Sequence, residues 1–174
     1  MIVTRFAPAP TGFLHLGHVL NALYVWGLAR AHGGRVLLRI EDHDRQRCRP
    51  AYERAILDDL DWLGLEPDEP PASAFRAGPC PGRQSDRQDV YEAALAQLMG
   101  AGLVYACDCT RRELRESMEA ASPRGELELR YSGRCATRNL PVAPGTGLRV
   151  RLPASVETFN DLRHGVQVQR PREQ

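Results

Sequence analysis

The stretch Arg5-Phe6-Ala7-Pro8-Ala9-Pro10-Thr11-Gly12-Phe13-Leu14-His15-Leu16-Gly17-His18 decides the fold. It leaves a short apolar strand, Ile2 to Phe6, crosses a turn of prolines and glycine, and enters a long apolar helix. Pro8 and Pro10 stiffen the exit, and Thr11-Gly12 supplies the residues on which the chain reverses. The two histidines then fall at the helix's first turn. Unpaired N–H groups and the positive end of the macrodipole favour an anion there, and two imidazoles add directed donors. This reads as a nucleotide pocket with room for a triphosphate, Gly17 letting a flat base lie against the backbone. The plainer reading of H-x-G-H is a capped helix with satisfied imidazoles, and the motif by itself leaves both open.

Working outward, the helix spans about Leu16 to His32 and is apolar nearly all round, as expected of a helix packed between a sheet and other elements. Gly33-Gly34 ends it. A second strand, Arg35 to Asp42, completes a βαβ unit, which implies parallel strands. Glu41 and Asp42 then sit at the strand's carboxyl end, the edge where open α/β sheets bind ligands and from which the histidine turn also emerges. Alternatively the pair is an acidic strand exit that caps the next turn.

Pro50 suits the first position of a helix running to Leu63, with Tyr52, Ile56, Leu60 and Leu63 on one face as core. Residues 66–82 are proline-rich and read as a surface loop. Ser85-Asp86-Arg87-Gln88 reads as a capping box for a helix whose Val90, Tyr91, Ala94, Leu95 and Leu98 face inward. Arg83 and Gln84 are left open between pocket and solvent. From Leu103 a short strand leads to Cys107-Asp108-Cys109, and Thr110 with Glu113 forms a second capping box for a charged helix to about Ala121. The chain is then loop-rich until Leu148-Arg149-Val150-Arg151-Leu152, which alternates as a half-exposed strand does. These elements give an α/β lobe over residues 1–100 and a smaller mixed lobe over residues 101–174.

Composition narrows the chemistry. The chain has 174 residues, 43% hydrophobic and 26% charged, with a net charge of +1, so no global field steers nucleic acid to it. All 23 basic residues are arginine. The absence of lysine excludes a Walker-type phosphate loop and a lysine Schiff base. No signal peptide or membrane span is evident, the apolar run from Val19 to Ala31 being broken by Asn21, Gly27 and Arg30, and the expectation is a soluble, cytoplasmic protein. Five cysteines without a secretory signal fit a reducing compartment, with thiols free or on a metal.

Cys107-x-Cys109, followed downstream by Tyr131-x-x-x-Cys135, brings three sulfurs and a phenol within reach of one ion, and zinc suits thiolates best. His164 is an alternative fourth ligand. Spacing alone also permits inert buried thiols. Cys48 and Cys80 lie outside the cluster.

Together, R-F-A-P-A-P-T-G-F-L-H-L-G-H at 5–18, L-R-I-E-D at 38–42, D-W-L-G-L at 61–65, R-Q-S at 83–85 and the C-x-C with Y-x-x-x-C resemble the class I glutamyl-tRNA synthetases. The three-cysteine, one-tyrosine set is similar to their short paralogues, the glutamyl-Q tRNA(Asp) synthetases, which attach glutamate to queuosine in the anticodon of tRNA-Asp. The resemblance implies the N-terminal half of a Rossmann-like nucleotide-binding domain with a small zinc-containing insertion lobe. It implies ATP-dependent activation of L-glutamate to an adenylate and transfer to queuosine, with Mg2+ accompanying ATP and the chain acting as a monomer. Arg5 would pair the substrate carboxylate, residues Phe6, Ala7, Pro8 and Ala9 would line the glutamate site, and Glu41 would take the ammonium group. His15 and His18 would hold the ATP phosphates as the catalytic pair, in a nucleotide site that also includes Pro8, Thr11, Gly12 and Gly17. Cys107, Cys109, Tyr131 and Cys135 would hold a structural zinc, all four of its positions being filled.

Two departures qualify the resemblance. Ala9 stands where the family usually has serine. The chain also stops at Gln174, about where the insertion should hand back to the second half of the sheet, so the lysine-rich second signature loop is expected to lie outside it. Two other readings follow from this. One is an inactive remnant keeping zinc and weak ATP or RNA binding, and the other is an N-terminal piece of a conventional glutamyl-tRNA synthetase. RNA contacts are expected from Arg111, Arg112, Arg130, Arg134 and Arg138, which as a salt-bridged solvated face would bind nothing.

Overall fold

Strands β1 (Val3–Phe6) and β2 (Arg35–Leu38) run parallel with Arg5 opposite Leu37 and Phe6 opposite Leu38. They belong to a computed structural model that describes residues 1–121, 131–161 and 163–171. Helix α1 (Leu16–Ala31) links the two strands, as the βαβ reading requires. Gly33, at φ +58°, makes the left-handed turn that returns the chain to β2. Two isolated parallel bridges, Leu37 with Glu69 and Ile40 with Arg83, extend β2 and the residues after it on separate segments.

Alternation along these strands sends Phe6, Val36, Leu38 and Ile40 to one face, where they are buried against Ala22, Trp26 and Ala29 of α1. The same core takes Ile56, Leu57 and Leu60 from α2 (Pro50–Trp62). Phe6 meets Trp26 edge to face at 5.6 Å, and the Trp26 indole N–H donates to the Glu66 carbonyl at 2.9 Å. Each such large side chain removed from water contributes roughly 2 kcal/mol. The opposite parity puts Arg5, Leu37 and Arg39 on the other face, around an open cavity of about 560 Å³.

The chain divides into two compact units, residues 1–91 and 92–174. In the second, β3 (Val104–Cys107) pairs antiparallel with β4 (Gly147–Val150), Cys107 facing Gly147. Between them runs α5 (Arg111–Ala121), opened by the expected box: Glu113 N–H donates to Thr110 Oγ1 at 3.2 Å, and Thr110 N–H donates to Glu113 at 2.8 Å. A hairpin of β5 (Glu157–Asp161) and β6 (Gly165–Gln169) follows.

Several local expectations are corrected. The 66–82 segment is not all loop, because Pro71 caps a short helix, α3 (Ala72–Ala77), that buries Ala72 and Phe75. Ser85 does not cap. Its N–H and hydroxyl both go to Asp42, residues 85–87 form a 3-10 turn, and α4 (Gln88–Gly100) starts after it. Helix α4 buries no side chain: Val90, Tyr91 and Ala94 are exposed and Leu95 and Leu98 half-buried. Helix α1 is covered on one side, and among the described residues nothing covers Leu16, Leu20, Leu23, Tyr24 and Leu28 on the other. The β5–β6 hairpin was not expected, its signal being only the Val166-x-Val168 alternation after a glycine turn.

Candidate functional site

The histidine turn is built by the backbone. His15 is the N-cap of α1, with extended φ and ψ of −128° and 173°. Its Nδ1 accepts from the Gly17 N–H at 3.1 Å, while His18 Nδ1 accepts from the His15 N–H at 3.2 Å. Two orphan donors of the first turn are thereby satisfied reciprocally. A nitrogen that accepts a hydrogen bond carries no proton, so in each neutral ring the proton sits on Nε2. Both rings, 3.9 Å apart and at the protein surface, therefore offer an Nε2–H to an incoming group at the positive end of α1. The cap and the anion donor, alternatives in the sequence, are opposite nitrogens of the same rings. A Cβ at position 17 would come within 3.0 Å of the His15 ring, so Gly17 is what lets that ring fold back.

The turn from Ala7 to Pro10 is stitched to the second strand's exit. Arg39 N–H donates to Phe6 at 3.0 Å, Glu41 N–H to Pro8 at 3.0 Å and Arg49 N–H to Pro10 at 2.9 Å. This holds Glu41 beside the proline turn. Its half-buried carboxylate accepts from Arg39 and lies 3.4 Å from His43 Nδ1. Arg39 shares the open cavity with Arg5, and Arg5 makes no ion pair among the described residues. Arg5 and Arg39 therefore share one cavity, an uncommitted cation and a paired one, with Glu41 joined to it through Arg39. The Phe6 ring points the other way, into the core, so only its backbone is available at the site. Pro8 is buried too, whereas Ala9 and Thr11 are exposed and Ala7 and Gly12 half-buried.

Supporting residues escaped the sequence reading. Arg83 is largely buried: it pairs with Glu53 at 2.7 Å and Asp86 at 3.2 Å, donates to the carbonyls of Gly78 and Phe75, and lies 5.5 Å from the Phe75 ring. Burial opposes its charge, and the hydrogen bonds to Glu53 and Asp86 outweigh that and raise its pKa. The Arg39–Glu41 pair had a signal, since two residues apart in a strand share a face.

In the second unit the sulfurs of Cys107, Cys109 and Cys135 lie within 4.8 Å of one another, Cys109 and Cys135 at 3.4 Å. The Tyr131 hydroxyl is 3.5 Å from Cys107 Sγ and accepts the Cys135 N–H at 2.9 Å. Tetrahedral zinc with Zn–S bonds of about 2.3 Å would space its sulfurs about 3.8 Å apart, so the gathered donors fit it with little movement. His164 sits in the β5–β6 turn, its N–H on Asp161 at 2.7 Å, and is not in the cluster. Cys48, on the Glu41 carbonyl, and the buried Cys80 also lie apart.

Burial pushes the Cys107 thiol up, but hydrogen bonding to Tyr131 and Arg149 outweighs it and brings the thiol to about 6. Burial and then the neighbouring sulfurs push Cys109 up, and burial followed by Cys107 pushes the Tyr131 phenol far above its usual range. Arg134 lies 3.4 Å from Cys109 Sγ and 3.6 Å from Glu113, and Arg138 donates to Asp108 at 2.7 Å. Arg112 pairs with Glu116, Arg111 is exposed, and Arg130 lies outside the described residues.

Residues 1–156 match the family model for the catalytic domain of class I tRNA synthetases (E and Q). The chain is 44% identical over 165 residues to a glutamyl-Q tRNA(Asp) synthetase of Rhodobacter capsulatus, covering 90% of this chain and 56% of that protein. It is also 44% identical over 164 residues to glutamate–tRNA ligase 1 of Acidithiobacillus ferrooxidans, covering 93% of this chain and 33% of that one. A glutamate tRNA ligase of Elizabethkingia meningosepticum, solved in complex with its amino acid, superposes with a TM-score of 0.73 at 32% identity, over 99% of this chain and 37% of its own. The chain thus spans about half the length of the first of these proteins and about a third of the others.

Proposed function

Because the chain belongs to the family of class I tRNA synthetases for glutamate and glutamine, within their catalytic domain, we propose that it carries the nucleotide and glutamate half of a glutamyl-Q tRNA(Asp) synthetase. The observation that carries this is the reciprocal cap of His15 and His18, which leaves two Nε2–H donors side by side at the start of α1.

In this reading His15 and His18 donate to the ATP phosphates, with Pro8, Thr11, Gly12 and Gly17 shaping the nucleotide site and Mg2+ accompanying the triphosphate. Arg5 pairs a carboxylate of L-glutamate, the turn from Phe6 to Ala9 lines the amino acid, and Glu41 accepts its ammonium on lone pairs left beside Arg39 and His43. A glutamate carboxylate oxygen attacks the α-phosphorus, the bond to the bridging oxygen breaks and pyrophosphate leaves. The imidazole donors meet the charge that builds on the phosphates. A queuosine hydroxyl of tRNA-Asp then attacks the adenylate's acyl carbon, the bond to the phosphate oxygen breaks, and an ester forms as AMP and the hydroxyl proton leave. Cys107, Cys109, Tyr131 and Cys135 hold a structural zinc that ties the second unit together.

A second reading, a conventional glutamyl-tRNA synthetase segment, draws on the equal identity to a glutamate–tRNA ligase. Glutamate-dependent exchange of pyrophosphate into ATP, measured without tRNA, tests activation. Activity that falls with His15→Ala and His18→Ala supports the site. Exchange by the parent that both substitutions leave unchanged overturns it, and no exchange by the chain favours an inactive remnant. Transfer of labelled glutamate to queuosine-bearing tRNA-Asp but not to tRNA-Glu separates the two ligase readings.

A further inference from the structure

Three arginines line the cysteine cluster. Arg134 Nη2 lies 3.4 Å from Cys109 Sγ, Arg138 Nη1 lies 3.6 Å from Cys135 Sγ, and the Arg149 guanidinium lies 3.6 Å over the ring of Tyr131, whose hydroxyl is 3.5 Å from Cys107 Sγ. We infer that these three arginines form a cationic outer shell of the metal site, two on sulfurs and one on the Tyr131 ring, and that the shell sets how tightly the site keeps its ion. This rests on the zinc reading above.

The shell is built, not incidental. Arg138 is anchored on Asp108 at 2.7 Å and Arg134 reaches Glu113 at 3.6 Å. Arg149 has no carboxylate partner among the described residues; it lies 3.6 Å over the Tyr131 ring, with its Nε buried and unpaired. Three thiolates exceed a divalent ion by one negative charge, and by two when Tyr131 binds as phenolate, while Asp108 and Glu113 already balance Arg138 and Arg134. The Arg149 guanidinium offsets part of that excess, in a half-buried position where an unbalanced charge is costly. Lysine would be a poor substitute, because a planar guanidinium can stack on the phenol. Arg134, Arg138 and Arg149 are accordingly positioning residues that act through the cysteines.

The test uses the full chain, with zinc affinity measured by competition against a chromophoric chelator and the cobalt-substituted site read by its sulfur-to-cobalt charge-transfer band. Arg149→Gln is expected to weaken zinc by about 10 to 100-fold, with smaller losses for Arg134→Gln and Arg138→Gln. Removing a hydrogen bond from a thiolate makes its electrons easier to move, so the cobalt band shifts to longer wavelength, which a purely structural role would not cause. Arg149→Lys restores part of the affinity, and Arg112→Gln, which touches no sulfur, changes neither readout. If Arg149→Gln fails to fold, the two rim arginines carry the test. A parent that binds zinc while all three glutamine variants stay within about twofold of it, with unshifted cobalt bands, overturns the shell. A parent that binds neither ion overturns the metal reading, and the shell with it.

Discussion

Residues 1–91 hide fourteen core side chains in one continuous cluster, from Phe6 to Cys80, whereas the hidden hydrophobics described in residues 92–174 are Ala106, Cys107 and Cys135. The first unit is held by apolar burial across a parallel sheet and two helices. In the second, the described buried hydrophobics are few, and Cys107 and Cys135 among them belong to the sulfur cluster for which we propose zinc. All three sheets are two-stranded, but β1–β2 is packed against a large apolar core and needs no ion, whereas β3–β4 and β5–β6 bury little apolar surface and are marginal unaided. The two units should therefore fail for different reasons.

Metal removal is the strongest way to break that contrast. A chelator should unfold residues 92–174 while residues 1–91 keep their structure, because structural zinc contributes about 10 kcal/mol or more to small domains of this kind. Hydrogen exchange read segment by segment checks it: protection is lost along β3 and β4 and kept along β2 and α2. Loss of protection in both units at once would mean that the first core depends on the second.

Next in size is a cavity in the first core. Leu60, fully buried in α2, should cost about 3 kcal/mol as Leu60→Ala, within the usual range for such truncations. Denaturant melting of the variant should lower the first unit's midpoint and leave zinc affinity unchanged. A parallel loss of zinc affinity would mean that the units are energetically one.

What could be read in advance follows the same division. The β1–α1–β2 unit was legible because its pattern is dense: an apolar strand, a proline and glycine turn, an apolar helix, a glycine stop and a second strand. That Cys107, Cys109, Tyr131 and Cys135 come together was legible through the family resemblance, since their spacing alone also permitted inert buried thiols. Partners that depend on tertiary approach were not. Nothing near Arg83 in the sequence announces Glu53, thirty residues away, and nothing near Arg149 announces Tyr131. Helix α1 misled for the opposite reason, since apolar residues all round do not say which side is covered among the described residues.

Arg83 offers a smaller and sharper test. It and Glu53 are both largely buried, so Arg83→Met leaves Glu53 without its cation and should cost about 2 kcal/mol or more. Replacing both, as Arg83→Met with Glu53→Gln, should recover part of that. Melting both variants checks it, and a double variant no better than the single one would show that the carbonyl contacts to Gly78 and Phe75, not the charge pair, hold the segment.

The smallest effect concerns Asp68, which ties the loop after α2 to the edge of β2. The Val36 N–H, donated at 2.8 Å, does most to hold its carboxyl below the usual carboxylate range, and Arg30 adds to this. A carboxyl whose folded pKa is depressed contributes stability that is present in full above its unfolded value, near 4, and disappears as pH falls through the folded value. Stability of the first unit should therefore decline on acidification below about pH 4, and Asp68→Asn should remove part of that slope while leaving neutral-pH stability only slightly lower. The second unit loses its ion over higher pH, since thiolates must take up protons to release it. Acid titration followed by exchange in both segments should thus separate the two transitions, the metal-held unit going first.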